Sequence, residues 1–172
     1  MQDVENLFLE VGKAIDDSNI SEAKELLLEI LEIDPGYGRA HNHLGWIYET
    51  KLKNFDKAKR HYELAIKFCQ GTYPIVYVNF AYLLIDYDRF DEAENLIDKG
   101  MQIAGADRAT LTFQKGKIME HRMKFVKAYH YYQLAGKLSF SRDFLTMLAN
   151  EKERILSKMN FWEKMSVKTS LF

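Results

Sequence analysis

Apolar residues recur along this chain at spacings of three and four, which is the periodicity of one helix face and not the alternation of a strand. Two clear runs are Ala23, Leu27, Ile30, Leu31 and Ala58, Tyr62, Ala65, Ile66. Short polar segments separate the stretches that carry this pattern. The sequence therefore predicts an all-α protein built from short amphipathic helices.

The helical pattern repeats with a period of 35 residues. Three columns align across four copies: Ile20, Phe55, Phe90, Phe125; then Ala23, Ala58, Ala93, Ala128; then Leu27, Tyr62, Ile97, Tyr132. Each copy reads as helix, turn, helix, and the first helix carries a small residue, namely Gly12, Gly45, Ala81 or Gly116, where two helices are expected to cross closely. The period predicts four tandem units at about residues 4–35, 36–70, 71–105 and 106–140.

These columns, together with Gly45-Trp46 and Asp34-Pro35, resemble the tetratricopeptide repeat (TPR) family over about residues 4–140. The resemblance implies a right-handed solenoid of antiparallel helix pairs whose first helices line a concave, partner-binding surface. A 35-residue period also suits the RNA-reading pentatricopeptide repeats, which stand as an alternative. The absence of a basic excess, with 24 Lys and Arg against 25 Asp and Glu, disfavours a nucleic-acid partner.

Residues 141–172 are predicted to form a C-terminal capping helix with an apolar tail. Apolar positions from Phe140 to Trp162 follow helical spacing, and an open stack needs a cap for its last repeat. The segment Phe161–Phe172 holds six large apolar residues together with Lys164 and Lys168. Two interpretations stay open: the segment completes the cap, or it docks on a concave face and forms a homodimer arm.

Composition excludes several classes of protein. The 172 residues allow one compact unit or one repeat array, and the net charge of -1 gives no pull towards anionic surfaces. The single Cys69 cannot form an internal disulfide, which favours a reducing, cytoplasmic location. The longest mainly apolar run, Ile75–Ile85, is too short to span a membrane, and no signal peptide is recognised.

No catalytic or metal-binding set is recognised, so we expect no enzyme activity, no metal and no cofactor. His41 and His43 are two residues apart and would point to different sides of a helix. The histidines are therefore interpreted as polar helix-surface residues. Cys69 has no paired base and is interpreted as a small buried hydrophobe.

The first helices supply the candidate partner-binding residues on the concave face. Eleven of them lie three residues before, one after or four after the small crossing residue, namely Leu9, Lys13, Asp16, Asn42, Trp46, Glu49, Val78, Tyr82, Phe113, Lys117 and Glu120. The twelfth is Asp86, an acid in the last turn of its helix. The rings of Trp46, Tyr82 and Phe113 would anchor a ligand, although such rings also pack between repeats. Acidic residues at the ends of the first helices predict an acidic lip, namely Asp16, Asp17, Glu49, Asp86 and Glu120. As an alternative, Asp17 or Asp88 could cap the helix that follows it.

The sequence thus predicts a non-catalytic scaffold that binds a peptide or protein segment with aromatic and basic residues. The alternative is a self-assembling structural protein. The formal charge of successive segments is -8, +4, -4, +5 and +2 over residues 1–35, 36–70, 71–105, 106–140 and 141–172. The two ends of the chain are therefore opposite in charge, so self-assembly could use head-to-tail contacts between them as well as the C-terminal tail.

Overall fold

The computed structural model describes the backbone of residues 2–169 and the side chains of residues 3–167. Within this range the chain forms ten α-helices and no strand. The helices are α1 Gln2–Asp16, α2 Ile20–Ile33, α3 Gly38–Thr50, α4 Phe55–Cys69, α5 Ile75–Asp86, α6 Phe90–Met101, α7 Arg108–His121, α8 Phe125–Lys137, α9 Arg142–Lys158 and α10 Phe161–Thr169. The prediction of an all-α chain of short helices is confirmed.

The helices form two compact units, Met1–Leu83 and Leu84–Phe172, which divide within α5. In the first unit, α1 packs on α2, α2 on α3, and α3 on α4. In the second unit, α6 packs on α7, α7 on α8, and α8 on both α9 and α10. The helices of each unit therefore pack mainly on their neighbours in chain order.

The 35-residue columns mark the second helix of each pair. The helices α2, α4, α6 and α8 begin at Ile20, Phe55, Phe90 and Phe125. The alanine column and the Leu27, Tyr62, Ile97, Tyr132 column are both fully buried, at 0% exposure in every copy. The two columns lie one helical turn apart on each of the four helices. Together they form the buried face that each second helix turns towards its pair.

Two glycines let tyrosine rings lie directly against a helix backbone. A Cβ on Gly45 would stand 2.7 Å from the ring of Tyr62, and a Cβ on Gly116 would stand 2.4 Å from the ring of Tyr132. These separations leave no room for a methyl group. At Gly12 the same position is open, with nothing within 4 Å, which matches the smaller Leu27 in that copy.

The turns within the helix pairs share one backbone feature. One residue in each of these turns has a positive φ angle between 49° and 61°, namely Ser18, Lys53, Asp88 and Met123. These residues are again 35 positions apart. The residue after each donates its backbone N–H to a carbonyl near the end of the preceding helix, at 2.7 to 2.8 Å. The cap of α2 is Asn19 and that of α6 is Arg89, so neither Asp17 nor Asp88 has the capping role considered for it.

The C-terminal segment contains two helices, whereas the spacing from Phe140 to Trp162 predicts one. The helix α9 ends at Lys158, and Met159 is extended with ψ 144°. Asn160 and Glu163 then bond reciprocally, since each side chain accepts from the other's backbone N–H at 3.0 and 2.9 Å. This capping box starts α10, which packs on α8 with Val167 buried. Lys168 has no described side chain, and Leu171 and Phe172 lie outside the described residues.

We expect Gly116→Ala to destabilise the protein by about 1 to 3 kcal/mol, because the new methyl group overpacks the buried Tyr132 ring. Gly12→Ala is the matched control, since its methyl group meets nothing within 4 Å and alanine is the better helix former by about 1 kcal/mol. Thermal or urea unfolding of both variants measures the difference. Equal stability changes at the two positions would contradict the close approach at Gly116.

We expect Met123→Gly to stabilise the protein by about 0.5 kcal/mol, because glycine adopts a positive φ without the steric cost that a Cβ brings. Met123 is 73% exposed, so little packing is lost. His130→Gly, at an exposed interior position of α8, should instead lower stability by about 1 kcal/mol. Unfolding in urea compares the two, and a loss of stability in both variants would rule out strain at the turn.

Candidate functional site

Three helices of the first unit line a small cavity. Ile15 from α1, Asn42, His43 and Trp46 from α3, and Asn79 from α5 surround about 180 Å³. The three α3 residues lie at spacings of one and three, so they cover one side of that helix. Two amides, an imidazole and an indole therefore meet around one apolar side chain, which suits a ligand with both polar and apolar groups.

An amide pair crosses the cavity between α3 and α5. Nδ2 of Asn79 donates to Oδ1 of Asn42 at 3.1 Å. Asn42 is 3% exposed and Asn79 is half-buried. Within the described part of the chain neither side chain makes a further hydrogen bond, so the pair keeps the Asn42 amino group as donor and the Asn79 carbonyl as acceptor. One donor beside one acceptor matches the hydrogen-bonding groups of a peptide backbone.

Neighbouring side chains and a backbone carbonyl contact the two ring systems at the cavity, Trp46 and His43. Trp46 is half-buried, and the Lys51 ammonium lies 5.4 Å from its ring centroid. Nδ1–H of His43 donates to the Arg39 carbonyl at 2.9 Å, and the Phe8 ring meets the imidazole edge to face. Burial lowers the pKa of His43, which keeps the imidazole neutral at pH 7 with Nε2 as an acceptor.

A larger cavity of about 350 Å³ lies where α1 begins and α2 ends, lined by Val4, Glu5, Ile33, Asp34 and Tyr37. Its polar groups already bind one another, since the Tyr37 hydroxyl donates to Glu5 at 2.8 Å and Arg39 pairs with the same carboxylate at 3.3 Å. Burial and the bond to Glu5 raise the pKa of Tyr37 to about 12. This cavity therefore offers a ligand fewer unused polar groups than the smaller one.

The structure brings some of the predicted concave-face residues together and separates others. In the first unit, Leu9 is 66% exposed, Lys13 and Asp16 are exposed, Trp46 and Glu49 are half-buried, Tyr82 is 38% exposed, and Asn42 and Val78 are buried. In the second unit, Asp86 is exposed, Lys117 is half-buried, and Phe113 and Glu120 are buried. Of the twelve, Asn42 and Trp46 line the cavity of the first unit.

Phe113 is a packing residue of the second unit. Its ring is 5% exposed and lies against Tyr132 and Phe144, with ring centroids 5.3 and 6.0 Å apart. The alternative that this ring packs between helices therefore describes its environment. Its ring surface is covered by α8 and α9.

Glu120 is the centre of a polar cluster that α9 completes. Its carboxylate accepts from the Tyr132 hydroxyl at 2.9 Å, from Lys158 at 2.8 Å and from both terminal nitrogens of Arg154. Burial alone would raise the pKa of Glu120, but the hydrogen bonds from Arg154, Lys158 and Tyr132 hold it down to about 2. Glu49 has the matching role in the first unit, since it accepts from the Tyr62 hydroxyl at 2.5 Å. Two acids of the predicted lip are thus partners of buried tyrosines.

The interpretation of the histidines as polar surface residues is wrong for His41, which is 6% exposed. Its Nδ1 lies 3.0 Å from Nδ1 of His61, and its Nε2 lies 3.2 Å from the Pro35 carbonyl. Because a carbonyl only accepts, His41 carries its proton on Nε2, and its Nδ1 accepts from His61. In the described residues no third His, Cys, Asp or Glu joins the pair to form a metal site. The pair was missed because 20 residues separate its members along the chain.

We expect the free energy of unfolding to fall between about pH 6.5 and pH 4 because of this pair. Burial, His41 and the nearby Arg60 and Lys57 lower the pKa of His61 from 6.5 to about 4, and burial lowers that of His41. Between these pH values the unfolded chain therefore binds protons that the folded chain does not bind, so the free energy of unfolding rises with pH over this range. In His61→Gln, which keeps a donor for His41, urea unfolding at several pH values should show a shallower slope. An unchanged slope would contradict the assignment.

Comparisons with known proteins agree with the fold. Residues 38–71, which span α3 and α4, match the tetratricopeptide repeat family. Among solved structures, PilF of Pseudomonas aeruginosa superimposes with a TM-score of 0.79 at 21% identity, covering 90% of this chain and 68% of that one. PilW, a widely conserved type IV pilus biogenesis factor, has a TM-score of 0.72 at 14% identity, covering 95% and 82%. The MamA protein has a TM-score of 0.65 at 13% identity, covering 92% and 93%.

No curated protein matches the sequence closely enough to count as a relative. None of the helices in residues 2–169 is both long enough and apolar enough to cross a membrane. The matched repeat contains Gly45, which lies against the ring of Tyr62, and the buried Ala58. Residues 38–71 match the tetratricopeptide repeat family, and the chain that contains them has the helix-pair fold of these solved structures.

Proposed function

We propose that this chain is a non-catalytic protein-interaction module whose first unit binds a peptide segment in the cavity between α1, α3 and α5. The fold supports a scaffold role, because tetratricopeptide repeats generally bind protein partners and carry no catalysis. The single observation that carries the proposal is the Asn42–Asn79 amide pair beside Trp46, with its remaining donor and acceptor. The cytoplasmic location predicted from the sequence belongs to the same proposal.

The chemistry of the cavity defines the ligand. The half-buried Trp46 ring and Ile15 suit an apolar or aromatic side chain. The amide pair suits the peptide backbone next to that side chain, because a buried donor or acceptor left without a partner costs about 1 to 3 kcal/mol. An extended segment that places one large apolar side chain beside a free peptide group would satisfy both.

The acidic residues near the cavity favour a basic group in the ligand. Asp16 is exposed and directly follows Ile15, whereas the Glu49 carboxylate already accepts from Tyr62. A preference for Lys or Arg next to the anchor therefore rests on Asp16 more than on a continuous acidic lip. Exposed ion pairs contribute about 0 to 1 kcal/mol, so this contact tunes the choice of ligand and does not supply most of the affinity.

Homodimer formation through Phe161–Phe172 stays a prediction. The exposed rings of Phe161 and Trp162, 67% and 78% exposed, are compatible with docking, and the contact of α10 with α8 is compatible with a cap. Removing residues 161–172 and measuring both molecular mass and melting temperature separates the two: a dimer arm changes the mass, and a cap changes the melting temperature.

We expect Trp46→Ala to weaken binding of an anchored basic peptide by about 2 kcal/mol, the loss typical of a buried aromatic hot spot. A displayed peptide library selects the ligand, and titration calorimetry then compares the variants. Phe140→Ala provides the control, because it removes a fully exposed ring from the second unit and lies outside the segment 161–172. Binding should be unchanged in that variant.

A second measurement tests the amide pair. Asn79→Leu removes the donor to Asn42 and the acceptor offered to a peptide backbone, so it should weaken the same ligand while the melting temperature reports whether the fold survives. Enrichment of acidic or carboxylate-terminated peptides from the library would contradict the proposed ligand. Equal binding by wild type, Trp46→Ala and Asn79→Leu would contradict the proposed site.

A further inference from the structure

The second helix of each pair has an outer stripe, which we define by its third, sixth, tenth and thirteenth residues. These positions fall on one helix face, because they are spaced by three and four. In α2 the outer stripe is Glu22, Glu25, Glu29 and Glu32, and in α8 it is Lys127, His130, Leu134 and Lys137. All eight residues are exposed. The two stripes have the same spacing and opposite charge.

The acidic stripe of α2 surrounds an apolar side chain. Leu28 lies between the glutamates on the same side of α2 and is 40% exposed. Among the described residues, Glu25, Glu29 and Glu32 form no ion pair and no side-chain hydrogen bond. Four like charges along one helix repel one another, so local stability does not select them. A cationic surface outside the first unit would relieve this repulsion.

The basic stripe of α8 borders a cavity. Lys127, His130, Tyr131 and Leu134 line about 290 Å³ on the outside of this helix. The helix contains no acidic residue, and Leu134 is 46% exposed. Lys127 and Lys137 have no ion pair in the part of the chain that the structure describes. This surface therefore combines unpaired positive charge with an apolar recess of side-chain size.

The equivalent stripe of α4 is also basic but is less suited to receive α2. Lys57 and Lys67 lie over the rings of Tyr48 and Phe68, at 5.3 and 5.4 Å from the centroids. Leu64, which stands where α8 has Leu134, is only partly exposed. The stripe of α6 is mixed, with Glu92, Asn95 and Lys99, and Gln102 stands just after the helix end at the position equivalent to the thirteenth residue. Although Arg60 gives the stripe of α4 one more cation, the recess beside Leu134 and the two lysines without an ion pair favour α8 as the partner of α2.

We propose that α2 of one molecule docks on α8 of a second copy of this chain, with Leu28 entering the cavity beside Leu134 and the glutamates facing Lys127 and Lys137. The contact is heterologous, because it joins two different surfaces, so in a pair one copy keeps an unused α8 and the other keeps an unused α2, to which further copies can bind. A single pair of helices buries less than the roughly 1,200 Å² of a stable interface, so the association is weak and electrostatic. It uses the outer stripes and leaves the cavity at Trp46 free.

Sedimentation velocity of the full chain at low and high salt tests the proposal. Wild type should associate at low salt and dissociate at high salt, because exposed charges are screened. One variant reverses α2 with Glu25→Lys, Glu29→Lys and Glu32→Lys, and another reverses α8 with Lys127→Glu and Lys137→Glu. Each alone should raise the dissociation constant by about tenfold or more. An equimolar mixture should associate again, because each reversed helix meets its complement on the other variant.

The matched control is Lys57→Glu with Lys67→Glu, which makes the same charge change at the equivalent positions of α4. It should leave association unchanged, and thermal melts confirm that each variant is folded. If the α2 variant does not fold, the α8 variant and the α4 control still decide. The proposal is overturned by a wild type that stays monomeric at low salt, by variants that associate like wild type, by a mixture that stays monomeric, or by an α4 control that dissociates equally. Association lost only on deleting residues 161–172 would assign the contact to the tail instead.

Discussion

Two buried tyrosines that lie against glycines fix the spacing of the helix pairs α3–α4 and α7–α8. The ring of Tyr132 occupies the space that a Cβ on Gly116 would need, and its hydroxyl donates to Glu120 at 2.9 Å. Tyr62 and Gly45 repeat the arrangement in the first unit. A buried hydroxyl needs an acceptor, so the ring, the glycine and the acid form one coupled set in which each residue limits the other two.

This coupling explains acids that end a first helix, where the helix dipole disfavours negative charge. A charge-assisted hydrogen bond to a buried phenol is worth more than the dipole costs. Burial and the neighbouring carboxylate raise the pKa of Tyr62 and Tyr132, so both phenols keep the proton that they donate. In the second unit the same carboxylate also binds Arg154 and Lys158, so one acid joins three helices, α7, α8 and α9.

The helix α3 serves the core and the candidate site with different faces. Gly45 faces Tyr62, His41 reaches His61 on α4, and Asn42 and Trp46 line the cavity. Close packing at the glycine fixes the helix against α4, which in turn fixes the direction of the groups that would meet a ligand. A substitution in the core of this pair therefore acts on the binding surface as well as on stability.

The sequence by itself determined the helix pairs and their periodic core. The 35-residue columns predicted four helix pairs, and in the structure they coincide with the first residue of four helices and with fully buried alanines, because helical spacing is a local property. The tertiary structure alone decided which surface residues are available. The ring of Phe113 packs on Tyr132 and Phe144, and His41 pairs with His61, which is 20 residues away along the chain. Such contacts depend on which helices become neighbours and on the distance between them. Spacing along one helix shows which residues share a face, but only the packed neighbours decide whether that face meets solvent, a ligand or another helix.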